Sequence, residues 1–113
     1  PFLSYASGAY MARLVEHILK SAVQPAQLNL VYETDMAESL KAMALEGHGL
    51  AFLPASSVKK DLRAKRVASA GDATAWGTTM EVRIVRERPQ SARVVKPGAA
   101  ALWDHLRAQA SAP

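Results

Sequence analysis

Apolar residues in this chain fall into short runs that alternate with stretches where they recur at intervals of three and four. Phe2-Leu3-Ser4-Tyr5 predicts a short strand, and Ala6, Ser7 and Gly8 a tight turn in which Ser7 can cap a following helix. That helix is expected from about Ala9 to Ser21, with Met11, Leu14, Val15, Ile18 and Leu19 as one apolar stripe. Leu28 to Tyr32 predicts a second strand. Thr34 or Asp35 is expected to cap a second helix, whose buried stripe would be Met36, Leu40, Met43, Ala44 and Leu45. Gly47 is expected to end it in the left-handed conformation. Leu50 to Leu53 is a third strand, apolar enough to be buried on both faces, and Pro54 stops it.

Farther along, a third helix is expected near Val58 to Lys65, a brief strand at Arg66 to Ala68, and a loop from Gly71 to Gly77 around Trp76. Thr79 to Arg86 alternates, with Met80, Val82 and Ile84 against Glu81, Arg83 and Val85, which predicts a half-buried strand that Arg88-Pro89 ends. Pro97 suits the first turn of a last helix with Ala101, Leu102, His105 and Leu106 on its apolar face; the tail from Ala108 to Pro113 is expected to fray. Strands alternating with helices predict an α/β fold with a small, largely parallel sheet flanked by helices. Right-handed crossovers then bring the turns after the first two strands to the same sheet edge.

The chain has 113 residues, half of them apolar and 21% charged, an ordinary composition for one small domain. It contains no cysteine, which removes disulfides, thiolate metal sites and cysteine nucleophiles from consideration. No apolar run approaches the roughly 18 residues of a membrane span, so a cytoplasmic setting without a membrane partner is the expectation. The net charge of +4 owes much to Lys59, Lys60, Arg63, Lys65 and Arg66. With Val58 and Leu62 turned inward, this set reads as a solvated helix face. It lacks the interleaved aromatics and the reading motif of a nucleic-acid surface. The chain opens at Pro1 and runs straight into Phe2 and Leu3, a start that suggests a piece of a longer protein.

Candidate chemistry is sparse. Ser4, Tyr5, Ser7 and Tyr10 lie where the first strand meets the first helix, and free backbone N–H groups there favour an anionic ligand. Capping by Ser7 and packing by Tyr10 explain the same residues equally well. Thr34 and Asp35 occupy the matching turn after the second strand, where Asp35 would repel a carboxylate. Gly47-His48-Gly49 lacks the spacing and the Lys-Ser/Thr of a phosphate loop and reads as a helix stop and tight turn. His17, His48 and His105 are far apart with no carboxylate at ligand spacing, so neither a metal nor another cofactor is expected. Met11 and Met36 sit in the first turns of helices that begin at this edge, where oxidation would place a polar sulfoxide beside a ligand.

The run LKAMALEGHGLAFLPASSVKKDL resembles the effector-binding domain of LysR-type transcriptional regulators: an apolar helix ending in Gly-x-Gly, a short apolar strand, then Leu-Pro and a basic helix. PFLSY before a helix and TTMEVRIVRER before a C-terminal helix stand where that family would place them. The resemblance implies a periplasmic-binding-protein-like fold of two subdomains with an effector cleft between them. Residues 1–70 would form most of the second subdomain; residues 71–113 would supply the return strand and C-terminal helix that complete the first. It further implies a small-molecule effector held near Ser4, Tyr5, Ser7, Tyr10 and Thr34, no catalysis, and a homo-oligomer (dimer or tetramer) paired through Ala9–Ser21 and Leu28–Tyr32. DNA would be bound only through an N-terminal helix-turn-helix outside this sequence.

Within the family, PFLSYASGAYMARLV is most similar to a branch that includes hypochlorite-responsive regulators, which implies redox sensing by Met11 and Met36. Two other functions fit the architecture: a periplasmic-type solute-binding module, and a small enzyme on the same fold, such as a prephenate dehydratase-like domain with Thr34 and Asp35 at its cleft. On this resemblance Met80, Val82, Ile84, Leu102, Trp103 and Leu106 would need cover, from a neighbouring chain or from the sheet.

Overall fold

The computed structural model describes residues 1–88 and 94–110. It divides into two compact units, Pro1–Met80 and Glu81–Pro113.

The first unit is built on a three-stranded parallel sheet: β1 (Phe2–Tyr5), β2 (Leu30–Thr34) and β3 (Leu50–Ala51), in the order β2-β1-β3. Helix α1 (Tyr10–Ser21) connects β1 to β2, and α2 (Ala37–Leu45) connects β2 to β3. The two crossovers run in opposite directions across the sheet. Right-handedness therefore puts α1 on one face and α2 on the other. β1, covered on both sides, supplies much of the core: Phe2, Leu3 and Tyr5 are buried, with Val15 and Ile18 of α1 and Leu40 of α2. Leu3 and Leu40 are wholly excluded from solvent. The α1 stripe is as the spacing predicts, with Met11, Leu14 and Leu19 half-buried beside Val15 and Ile18.

The ends of the elements correct several expectations. Ser7 caps nothing: the residue before α1 is Ala9, and the chain reaches it through Gly8 at φ +92°, leaving Ser7 exposed. β2 runs two residues later than its β propensity suggests, because the ladder to β1 begins at Phe2 opposite Leu30 and ends at Tyr5 opposite Thr34. α2 starts at Ala37 after Met36, so neither Thr34 nor Asp35 is its cap residue. Thr34 Oγ1 instead accepts the Met36 N–H at 3.3 Å. Met36 and Leu45 are exposed, and the α2 stripe narrows to Leu40, Met43 and Ala44.

Gly47 does end α2. At φ +80° its N–H donates to the Ala44 carbonyl, and the His48 N–H donates to the Met43 carbonyl, a Schellman closure. β3 is shorter than the apolar run and only half-buried, since it lies at the sheet edge.

α3 (Ala55–Arg63) begins directly after Pro54, three residues ahead of its expected start. Its inward residue is Asp61, not Leu62: Asp61 is 4% exposed, Leu62 is 42%. Lys41 of α2 reaches the Asp61 carboxylate at 3.4 Å and Arg66 at 2.7 Å, which explains how a charge can occupy an inward position. Burial alone would push the Asp61 carboxyl up, but the two cations outweigh it and hold it below the ordinary range. α3 also ends in a Schellman closure, with the Lys65 N–H on the Leu62 carbonyl and the Arg66 N–H on the Asp61 carbonyl. Here the left-handed position holds Lys65, at φ +58°. Residues 66–68 form no strand. The expected loop contains a short helix, α4 (Ala73–Trp76), because Asp72 accepts the Thr74 N–H at 3.1 Å and caps it; α4 packs on α1.

The second unit holds α5 (Pro97–Ala110), which starts at Pro97 as expected. Its half-buried residues are Ala100, Trp103 and Leu106, not the face through Ala101, Leu102 and His105; Leu102 is 58% exposed. The Arg86 guanidinium lies 4.3 Å from the centroid of the Trp103 ring, a cation–π contact that ties the preceding segment to α5. Thr79 to Arg86 is not a strand. The segment is irregular and exposed, and among the described residues no strand runs beside it. Pro89, read as its end, and the tail beyond Ala110 lie outside the described residues.

Candidate functional site

In a parallel sheet every strand points the same way, so the segments after β1, β2 and β3 all emerge at one edge. Three helices start there. The residues before them are Ala9, Met36 and Pro54, and in none of the three does a side chain cap the helix. The leading N–H groups of α1, α2 and α3 thus lack the side-chain acceptor that usually satisfies them, and the positive ends of three helix dipoles lie along one sheet edge.

Charge separates the three. α2 carries Glu38 in its first turn, with exposed Asp35 just before it; α1 and α3 have no acid in theirs. An anionic group is therefore favoured beside α1 and α3 and opposed beside α2. In the order β2-β1-β3 the crossovers from β1 to β2 and from β2 to β3 run in opposite directions, and β1 stands at the centre with the ends of β2 and β3 on either side.

The residues named from the sequence divide among three locations. Ser7 and Tyr10 are exposed at the start of α1. Thr34, half-buried, and Met36, 58% exposed, stand at the start of α2. The two turns are tied together by the Ala6 N–H, which donates to the Thr34 carbonyl at 2.8 Å. Ser4 lies within β1, and its hydroxyl donates to the Tyr5 carbonyl at 3.1 Å. Tyr5 is in the core: its hydroxyl donates to the Phe52 carbonyl at 2.8 Å and bridges β1 to the segment after β3. Burial raises the Tyr5 hydroxyl above its ordinary value, which keeps it a donor. Met11 packs half-buried against the core.

The sequence reading missed the start of α3. Ser56 is exposed there, and Ser57 turns its hydroxyl back onto the Pro54 carbonyl at 2.9 Å. Pro54-Ala-Ser-Ser, an extended proline followed by small polar residues, was the available signal for an earlier helix start. A separate open depression of about 520 Å³, lined by His17, Ile18, Gln24, Asp72 and Trp76 among others, lies between the end of α1 and α4. Because α1 runs against the strands, this depression is at the opposite end of the sheet. Among the described residues no cluster of histidines and carboxylates could hold a metal ion, and no helix is long and apolar enough to cross a membrane.

Comparison with known proteins decides the family. The sequence matches the LysR substrate binding domain over residues 1–111. The chain belongs to that family. A stretch of 67 residues, 59% of the chain, is 30% identical to the HTH-type transcriptional regulator YjiE of Escherichia coli K12 and covers 22% of that protein. Among solved structures, Vibrio fischeri DarR in complex with DNA matches 66% of the chain at 33% identity with a TM-score of 0.59, over 24% of its own length. Full-length HypT of Salmonella typhimurium, a hypochlorite-specific LysR-type regulator, matches 96% of the chain at 21% identity with a TM-score of 0.68, over 35% of its own length. The chain thus spans a quarter to a third of the regulators it resembles, and the HypT likeness concerns the fold of this LysR substrate-binding domain.

Proposed function

We propose that the chain is the effector-sensing part of a bacterial, cytoplasmic LysR-type transcription factor, and that its ligand is a small molecule with an anionic group. The observation that carries this reading is the meeting of uncapped helix starts at one sheet edge, with acids beside α2 but none beside α1 or α3. The anionic group would sit between the starts of α1 and α3, near Ser7, Tyr10 and Ser56. Ser4 and Thr34 would shape the wall. Tyr5 would hold the β1–β3 spacing through Phe52 and act on the ligand only through it.

Family membership supports the rest of the reading. Residues 1–70 are assigned to the second regulatory subdomain and residues 71–113 to the segment and helix that return to the first, where 79–86, irregular in this chain, would become a strand only beside a partner strand of that subdomain. The protein works as a homo-oligomer and reaches DNA through a reader outside this sequence; it is not an enzyme. Effector binding shifts the population between two subdomain arrangements and so the spacing of the readers.

The test is a thermal-shift screen of small carboxylates and phosphates against the full-length protein, each paired with its neutral amide or alcohol analogue. Anions that raise the midpoint and change the promoter footprint, with analogues that do neither, are the expected result. Equal responses to charged and neutral analogues would sink the anion-site reading. Turnover of a bound compound would move the assignment to an enzyme.

A second reading rests on the exposure of Met36 beside this edge. Oxidation there would add a polar oxygen at the start of α2. Replacing Met11 and Met36 together by leucine should abolish an oxidant-dependent change of footprint while sparing the fold. An unchanged oxidant response in that double variant would end the idea.

A further inference from the structure

The basic residues of α3 read from sequence as a solvated face. The fold changes that reading through Asp61. It is the sole acid of α3, and it is turned inward and taken up by Lys41 and Arg66. At about 100° per residue, Lys59, Lys60 and Arg63 fall within an arc of about 100° on the opposite side of the helix. All three are exposed, as is Lys65 just beyond the helix end, and among the described residues none of the four forms an ion pair.

Two ordinary explanations cover part of this. Lys60 and Arg63 lie in the last turn, where cations offset the negative end of the dipole. A face kept only for solubility would interleave acids with bases. Lys59, one turn before Arg63, instead opposes a like charge on the helix surface. Lys65 adds another cation at a left-handed position that glycine would occupy with less strain.

We propose that this face holds the phosphate backbone of duplex DNA without reading its sequence. Lysine and arginine side chains presented along one helix face suit a row of phosphates, and α3 has no aromatic residue on which a base could stack. The choice of DNA over another polyanion rests on the regulator reading above. A domain joined to a DNA reader meets DNA at high effective concentration, so a contact that is weak in free solution is enough. The contact would add a salt-dependent anchor to the regulator–promoter complex, on a surface away from the reader.

The experiment titrates the 113-residue chain with a short mixed-sequence duplex, following fluorescence anisotropy at several salt concentrations. The chain should bind at low salt. Replacing Lys59, Lys60 and Arg63 by glutamine should make the slope of log affinity against log salt shallower by about 0.9 for each cation lost. Arg13→Gln, on α1, should change nothing. These side chains are exposed, so the triple variant should keep the thermal midpoint of the parent. An unaltered slope in the triple variant, or no binding at low salt, would overturn the proposal. Competition by polyglutamate as effective as competition by duplex would point to an acidic protein partner instead, and would also overturn it. The effector site is read from anion-dependent midpoints with no DNA present, so failure here leaves that reading to its own test.

Discussion

Phe2–Tyr5 and Met80–Arg86 are both rich in residues that suit a pleated surface, yet one is the centre of a sheet and the other is irregular and exposed. The difference lies in what stands beside them. β1 has Leu30–Thr34 on one side and Leu50–Ala51 on the other, so its backbone groups are paired and its side chains are covered by α1 and α2. Around Met80–Arg86 no strand is present among the described residues; Val82 is 83% exposed and Ile84 60%. Alternation specifies a face, but a strand also needs a ladder, and the ladder is a non-local fact.

The sharpest way to break this comparison is to truncate one apolar side chain in each region. Leu40→Ala, at a site closed to solvent in the first unit, should cost about 2–5 kcal/mol in urea denaturation. Val82→Ala should stay within about 0.5 kcal/mol, as exposed positions usually do. Equal losses would mean that residues 80–86 are covered in solution. Hydrogen exchange gives an independent check: amides of 79–88 should exchange at nearly unprotected rates in this chain, while those of Leu3 and Tyr5 are protected.

A close approach within the sheet supplies the next effect. A Cβ at Gly49 would stand 2.8 Å from the Pro1 carbonyl oxygen, which accepts the Leu50 N–H at 3.0 Å. Gly49→Ala must therefore push β3 from β1. A loss of about 1–3 kcal/mol is expected, together with weakened protection of Leu50. The same change at Gly98, where a Cβ meets nothing within 4 Å, should not destabilise the chain.

What could be read ahead of the structure follows the same division. The α1 stripe, the glycine that ends α2 and the proline that begins α5 depend on neighbours a few residues away, and each stands where its spacing puts it. The inward Leu62 and the α5 face through Leu102 depend on distant partners, whereas Ser7 misses its cap because Gly8, at φ +92°, carries the chain on to Ala9 before α1 starts. Lys41 decides that Asp61 faces inward, and Arg86 over the Trp103 ring accompanies a different covered face on α5. The candidate edge was legible because it follows from strand order and right-handed crossovers alone. The share of α3 in it was not, since its start depends on where β3 stops pairing.

Asp61 makes that distant dependence measurable by pH. Its carboxyl is held below the ordinary value of 3.8, so the folded chain binds fewer protons there than the unfolded chain does. The stability it contributes is complete above the unfolded value and is lost as pH falls through the folded one. Urea midpoints should therefore drop between about pH 5 and pH 2, and Asp61→Asn should flatten that limb. An acid limb of the same steepness in Asp61→Asn would assign it to other carboxylates.

The smallest expected effect has the opposite sign. Gly47 and Lys65 occupy equivalent positions in two Schellman closures, at φ +80° and +58°. Only Lys65 carries a Cβ, which crowds the backbone in that conformation and is disfavoured by about 1–2 kcal/mol. Glycine relieves the crowding but loses more chain entropy on folding, which returns about 0.5–1 kcal/mol of the gain. Lys65→Gly should therefore stabilise the chain by about 0.5–1 kcal/mol, read as a higher urea midpoint. Because the side chain is exposed and forms no ion pair among the described residues, the gain should persist at high salt. A gain that shrinks as salt rises would trace it to the relief of repulsion among the α3 cations rather than to the backbone.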